Sequence, residues 1–365
     1  MAGGLHGAPW VSDGGGAGDG GVRYSEHSEY SDSGKRAGNS TGDSLSASFS
    51  EDFQFSQTTH PFQSFVDVLA TSFPLAFLQA SLSYYLAAVL LHYVVPYLFT
   101  RLNLDHKLQS VQRGTREPGQ VRREAAASLG PLMVKSLIWS VVDWLVVVEG
   151  WLGGWVRVYG GEVGSGWGWW VGVLGGVLVL DVVHDAWFYW THRLLHTRAL
   201  YKSVHYMHHE SRYDCSALWV HLMFPALPLL ILTESSSNPD CRVPTAFTGY
   251  SFHVVEAVIV FFNEILVCFF LPIHTRVHRY YHMYTTAIHC GGHAGYEIAP
   301  FVPSLQGLCS LLLTRGKVNE YLTTVEHHDL HHQLYTIHFG LYFQLWDRWM
   351  GTDCIRREKK NAKKN

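Results

Sequence analysis

The sequence predicts an all-α fold: a polytopic membrane helical bundle with a cytoplasm-facing, histidine-rich catalytic cap. Three observations carry that prediction. The 365 residues are 47% hydrophobic and only 16% charged, a balance shifted from soluble domains toward membrane proteins. Several apolar runs approach or exceed the roughly 20 helical residues needed to cross a bilayer. Four histidine boxes accompany these runs: His192-x-x-x-His196, His205-x-x-His208-His209, His289-x-x-x-His293 and His328-x-x-His331-His332. The 13 Trp and 19 Tyr fit the aromatic enrichment of membrane–water interfaces. A net charge of −3 gives no reason to expect a nucleic-acid partner.

Residues 1–60 form a Gly/Ser-rich tail without apolar periodicity, predicted to be disordered. The tail lacks the charged-then-apolar layout of a signal peptide. Asn39-Ser40-Thr41 matches a glycosylation acceptor, which matters only if the tail is lumenal. Residues 61–124 supply a membrane span and a basic connector. The span, 74–99, carries no formal charge, and the connector carries Arg101, Lys107, Arg113, Arg116, Arg122 and Arg123. Residues 125–354 make up the main membrane domain. Its candidate spans are 131–149, interrupted by Lys135 and Asp143; 163–180, uncharged; 216–233, with two prolines and His221; and 254–273, with Glu256, Asn263 and Glu264. A span holding two carboxylates is predicted to face protein rather than lipid. Residues 355–365 are a basic tail. The connector after the second span carries only Arg157, so the positive-inside rule puts connector 101–123 in the cytoplasm. Five spans, the last two forming a hairpin, then bring all four boxes to the cytoplasmic side.

Helical residues three and four apart share a face, so each box can aim two or three imidazoles at one point. Neutral imidazole suits iron, zinc and copper. Ten candidates (His192, His196, His205, His208, His209, His289, His293, His328, His331 and His332) exceed one tetrahedral ion and suit two ions in an all-histidine cage. Imidazole tolerates iron in two oxidation states and avoids thiolates that oxygen would attack. An apolar site beside a membrane suits a lipid substrate. Cys215, Cys241, Cys268, Cys290, Cys309 and Cys354 form no C-x-x-C pair, which argues against a zinc ribbon or a disulfide framework. Asp185 and Asp329, with Glu210 and Glu326 behind them, are candidates to accept the outer N–H of a ligand imidazole. His184 and His327, at the edges of boxes, read equally as ligands or structural histidines, whereas His221, His278 and His282 are weaker ligand candidates that read first as structural.

These motifs resemble the fatty acid hydroxylase/sterol desaturase superfamily over residues 125–354. "DAWFYWTHRLLH" matches its Asp-x-x-Phe-Tyr-Trp-x-His-Arg-x-x-His pattern, and "HYMHHE" its second box. "HHDLHH" followed by "LWDRWMGTD", and "HAGYEI", resemble C-4 methylsterol oxidases and related hydroxylases. The chain departs from the family at the His-Pro-x-Glu stretch that commonly follows the second box in sterol C-4 methyl oxidases: here the region reads His221-Leu-Met-Phe, two residues early. The resemblance implies two Fe ions, O2, and electrons from NAD(P)H through cytochrome b5 or a reductase. It also implies an endoplasmic-reticulum membrane and a sterol, sphingoid-base or fatty acyl substrate, with sterol C-4 methyl oxidation the best match. Sphingoid-base or fatty acyl hydroxylation is the alternative within the class. Substrate choice is expected around Trp219, Phe224 and 254–273. A membrane metal transporter and a protein with a structural metal are the readings from other classes.

Overall fold

A computed structural model describes residues 61–112, 118–148, 154–209, 243–298 and 321–353, with three single residues between them. The expected tail 1–60, the candidate span 216–233, the basic tail 355–365, and Glu210, Trp219, Phe224 and His221 lie outside the described residues. Helices run in the order α1 Pro61–Val89, α2 Val95–Arg101, α3 Gln120–Ala127, α4 Leu129–Val147, α5 Trp167–Leu195, α6 Arg198–Leu200 and α7 Tyr206–His209. After these come α8 Val254–Phe261, α9 Asn263–Leu266, α10 Thr275–Gly292, α11 Val325–Leu334 and α12 Leu345–Met350. Strands Leu108–Ser110 (β1) and Tyr296–Ile298 (β2) pair antiparallel, Gln109 opposite Glu297. This is an all-α membrane protein.

Among the described residues, three helices are long and apolar enough to cross a membrane: Phe62–Arg101, Gln120–Val147 and Trp167–Leu195. They contain or overlap the runs 74–99, 131–149 and 163–180. The first joins α1 to α2 through a π-helical turn, Leu90–Val94. Its residues sort by face. Ala76, Ala80, Tyr84 and Ala88, at steps of four, are buried, while Leu75, Leu78, Leu82 and Leu86 are exposed. Small residues let α4 and α10 approach α1 closely, and the leucines suit lipid. Helix α5 has 29 residues and is about 43 Å long, against a hydrocarbon core of about 30 Å. Its last turns therefore project beyond the core and carry the first histidine box with them.

The segment 254–273 corrects the sequence reading of a fifth span. It folds as two short helices, α8 and α9, and a 3-10 turn, Val267–Phe269. Its carboxylates do face protein: Glu256 and Glu264 are buried. The charges that interrupt the second span meet partners here. Lys135 Nζ lies 2.5 Å from Glu264 Oε1, and Trp139 Nε1 donates to Glu264 Oε2 at 2.7 Å. Arg279 of α10 pairs with Asp143 at 2.7 Å. Two ends of α-helices are built by histidine: His253 Nδ1 accepts from Val255 N and His274 Nδ1 from Arg276 N, relieving orphan N–H groups.

The Lys135–Glu264 pair is fully buried, so deleting one partner strands a charge. Lys135→Met is expected to destabilise the protein by roughly 3–5 kcal/mol, and Lys135→Met with Glu264→Leu to regain much of that loss. Thermal unfolding in detergent measures both. Equal losses in the single and double variants would sink this account.

Candidate metal centre

Four elements bring the boxes together. The end of α5 carries His192 and, at its C-cap, His196. A π turn, Tyr201–His205, leads into α7 with His208 and His209. The end of α10 leads to His293 at its C-cap, and α11 carries His328, His331 and His332. Helix α11 starts where it does because Thr324 and His327 form a capping box, which fixes the face that its last three histidines present.

Nine imidazoles sort into two groups with metal-ligand spacing: His192, His196, His205, His209 and His331; and His208, His293, His328 and His332. In the first, His209 Nε2 lies 3.1 Å from both His196 Nε2 and His205 Nε2, and 3.3 Å from His331 Nε2. In the second, His328 Nε2 lies 2.9 Å from His293 Nε2 and 3.2 Å from His332 Nε2, and His293 Nε2 lies 3.3 Å from His208 Nε2. The neighbouring pairs His208–His209 and His331–His332 each contribute one residue to either group, so the groups adjoin.

The outer nitrogens decide what the inner ones are. His192 Nδ1 meets the Phe339 carbonyl at 3.0 Å, His331 Nδ1 the Ile337 carbonyl at 2.6 Å, and His293 Nδ1 the His289 carbonyl at 2.9 Å. A carbonyl only accepts, so each Nδ1 bears the hydrogen and each neutral ring presents a bare lone pair at Nε2. Converging lone pairs at about 3 Å repel unless a cation lies among them. His192 Nε2 is buried without a hydrogen-bond partner. Burial also lowers the imidazole pKa values, His293 to about 4 and His208, His209, His328, His331 and His332 well below the usual range. These rings are neutral at physiological pH, the form that ligates. The donor set therefore fits two transition-metal ions.

The remaining predicted residues fall elsewhere. His289 is buried one turn before His293, stacked on its ring at 5.6 Å, but belongs to neither group. Asp185 corrects the expectation of an imidazole partner: its Oδ1 accepts the backbone N–H groups of Leu341, Tyr342 and Phe343. Asp329 accepts from Gln333 at 2.7 Å, again not from a ligand ring. His327 bonds Thr324 and Gln344, His184 bonds Asn263, and His278 bonds the Glu264 carbonyl. His282, fully buried beside Glu264, lies outside both groups.

Two features escaped the sequence reading. Glu256 accepts from His205 Nδ1 at 2.8 Å. It sits at the third position of α8, after His253 as the N-cap. His253-Val-Val-Glu256 therefore supplies the His-x-x-Glu spacing sought at His221, and Val254 takes the first helical position that proline favours. Burial pushes the Glu256 carboxyl well above its usual range; the Nδ1 hydrogen and a cation beyond the ring act in the opposite direction. The second feature is Asp347 of the "LWDRWMGTD" stretch. It accepts from the backbone N–H groups of Phe339 and Gly340, both at 2.9 Å, and so fixes the carbonyl that orients His192. A Cβ at Gly340 would lie 2.8 Å from the Phe343 carbonyl, so this turn requires glycine.

A cavity of about 870 Å³ reaches the second group. Its walls are α1 (Leu86, Ala87) and α10 (Met283, Ala287, Gly291), and His293 and His328 line its inner end. Leu86 of α1 and Leu90 of the π turn after it also line the cavity and are themselves exposed.

The family model for fatty acid hydroxylase matches residues 240–352. Lathosterol oxidase of Rattus norvegicus is 25% identical over 279 residues, 75% of this chain and 72% of its own. Methylsterol monooxygenase 2-1 of Arabidopsis thaliana is 29% identical over 53% of this chain and 61% of its own. A very-long-chain aldehyde decarbonylase of Oryza sativa subsp. indica is 26% identical over 52% of this chain and 56% of its own. No solved structure matches. With the histidine boxes and the all-α membrane architecture, these matches support the fatty acid hydroxylase/sterol desaturase superfamily and an oxidoreductase.

Proposed function

We propose that the chain is a membrane di-iron oxygenase that uses O2 and NAD(P)H-derived electrons to oxidise a sterol, with C-4 methyl oxidation as the specific reaction. The observation that carries this reading is an apolar cavity, walled by α1 and α10, that reaches the second of two adjoining all-histidine groups. Bound iron would supply the reduction of dioxygen and the attack on an unactivated C–H bond. The protein's part is to hold and orient. Nine imidazoles fix the ions, backbone carbonyls at Phe339, Ile337 and His289 set the ring tautomers, and Phe339 packs against His192, His196 and His331 to keep water from the first group. Leu86, Leu90 and Ala87 receive the hydrocarbon and lead it to His293 and His328.

Methylsterol monooxygenases and lathosterol oxidases among the relatives favour a sterol over a sphingoid base or fatty acyl chain. A metal transporter is disfavoured because the imidazoles converge in two closed groups, several tied through Nδ1, rather than spacing out along a path. The basic connector 101–123, followed by the second and third spans, supports a cytoplasmic end of α5 and with it a cytoplasmic side for the boxes gathered there. An endoplasmic-reticulum membrane, and cytochrome b5 or a reductase as electron donor, complete the proposal.

Expression in a sterol-producing cell that lacks its own C-4 methylsterol oxidase tests it. Accumulated 4,4-dimethylsterols are expected to fall, with no fall for His331→Ala. Unchanged methylsterols despite stable membrane protein would overturn the C-4 assignment. Lathosterol consumption, hydroxylated sphingoid bases or hydroxylated fatty acids in the same extracts would then name the alternative.

A further inference from the structure

Resting on the two-metal reading, we propose that the histidine groups hold their ions with unequal strength, and that Glu256 makes the first group the tighter site. Three independent differences point the same way. The first group has five imidazoles and the second four. The first alone, among the described residues, has a ring tied outward to a carboxylate: His205 Nδ1 to Glu256 Oε1 at 2.8 Å, with both side chains at most 4% exposed. Where outward partners of His192, His331 and His293 are found, they are backbone carbonyls, which raise ligand basicity less than a carboxylate does. The third difference is access. His293 and His328 line the cavity, and Gly291 and Gly292 beside them put no side chain in the way; the residues of the first group do not line it.

Glu256 is also rigidly supplied. His253 caps the helix that carries it, and two turns on, Glu264 is anchored to Lys135 and Trp139 of the second span. Among the described residues its Oε2 has no hydrogen-bond partner and its Oε1 bonds His205. A carboxylate behind a ligand imidazole typically contributes 10- to 100-fold in metal affinity, so Glu256 acts as a positioning residue for the first ion. The cavity-side ion, with fewer ligands and an open approach, is the exchangeable one and the one nearest the substrate.

Chelator titration of the purified protein, reloaded anaerobically with ferrous iron, tests this by metal analysis of the retained protein. Wild type is expected to lose its two ions in separate steps. His208→Ala should remove only the early step. Glu256→Gln, which keeps the shape of the side chain without its charge, should move the late step about 10- to 100-fold toward lower chelator and leave the early step in place. Simultaneous loss of both ions from wild type overturns the proposal, and so does a Glu256→Gln shift confined to the early step. The wild-type and His208→Ala titrations decide the inequality even if Glu256→Gln does not fold. Wild type that takes up a single ion, however much iron is supplied, overturns the two-metal reading itself.

Discussion

His331→Ala is expected to remove one of two metal ions and reduce lipid oxidation below detection. His331 Nε2 faces His209, and its Nδ1 holds the Ile337 carbonyl, so alanine removes a ligand and releases the turn that follows α11. His332→Ala, one residue on, is expected to cost the other ion, because His332 belongs to the second group. Each variant should retain about one ion and neither should make product, since the proposed chemistry needs both. Two ions held in the two groups would also connect α5 and α7 to α10 and α11, elements far apart in sequence. Their removal by chelator should therefore lower thermal stability, by about 2.7 kcal/mol per site at free metal 100 times its Kd. Metal analysis, product assay and a melting curve together check the claim. An active His331→Ala protein with two ions would sink the assignment of the first group.

The boxes were legible in the sequence because helical spacing is local: His192 and His196, or His328, His331 and His332, share a face by geometry alone. The first three spans were legible because lipid demands long apolar helices. What failed was non-local. Segment 254–273 is apolar enough to read as a span, yet it folds as short helices and its Glu264 pairs with Lys135 from α4; partner choice across the chain is not written in either run. Asp185 stands one residue after His184 and near the first box, which made it a plausible imidazole partner. Its actual partners lie more than a hundred residues away, in the turn 341–343. Glu256 was missed because the His-x-x-Glu spacing was sought directly after the second box. Residues 210–242 separate that box from the part of the chain where the pattern recurs. His289 satisfies its box spacing with His293, but its position on α10 turns it to the cavity wall rather than into the second group.

Gly291→Leu is expected to abolish or sharply reduce lipid oxidation while leaving both metal ions in place. Gly291 lies in the last turn of α10, and a Cβ there meets nothing within 4 Å. It lines the cavity beside His293 and His328, so a leucine side chain would fill space next to the second group without touching a ligand. Its backbone angle is not in the left-handed region, and leucine favours helix over glycine by up to about 1 kcal/mol, so the fold should be unharmed or slightly stabilised. Crowding at that point should cost about 1–3 kcal/mol of substrate binding, or roughly 5- to 150-fold in kcat/KM. Gly291→Ala, smaller, should lose less, and the loss should grow with the breadth of the lipid offered. A rigid, broad fused-ring sterol should be obstructed by the new side chain more than a slender, flexible acyl chain. Assaying both lipids with both variants thus separates a blocked cavity from a damaged cage. Full activity of Gly291→Leu on a sterol would show that the substrate reaches the metals by another route, whereas lost metal would show that Gly291 supports the cage itself.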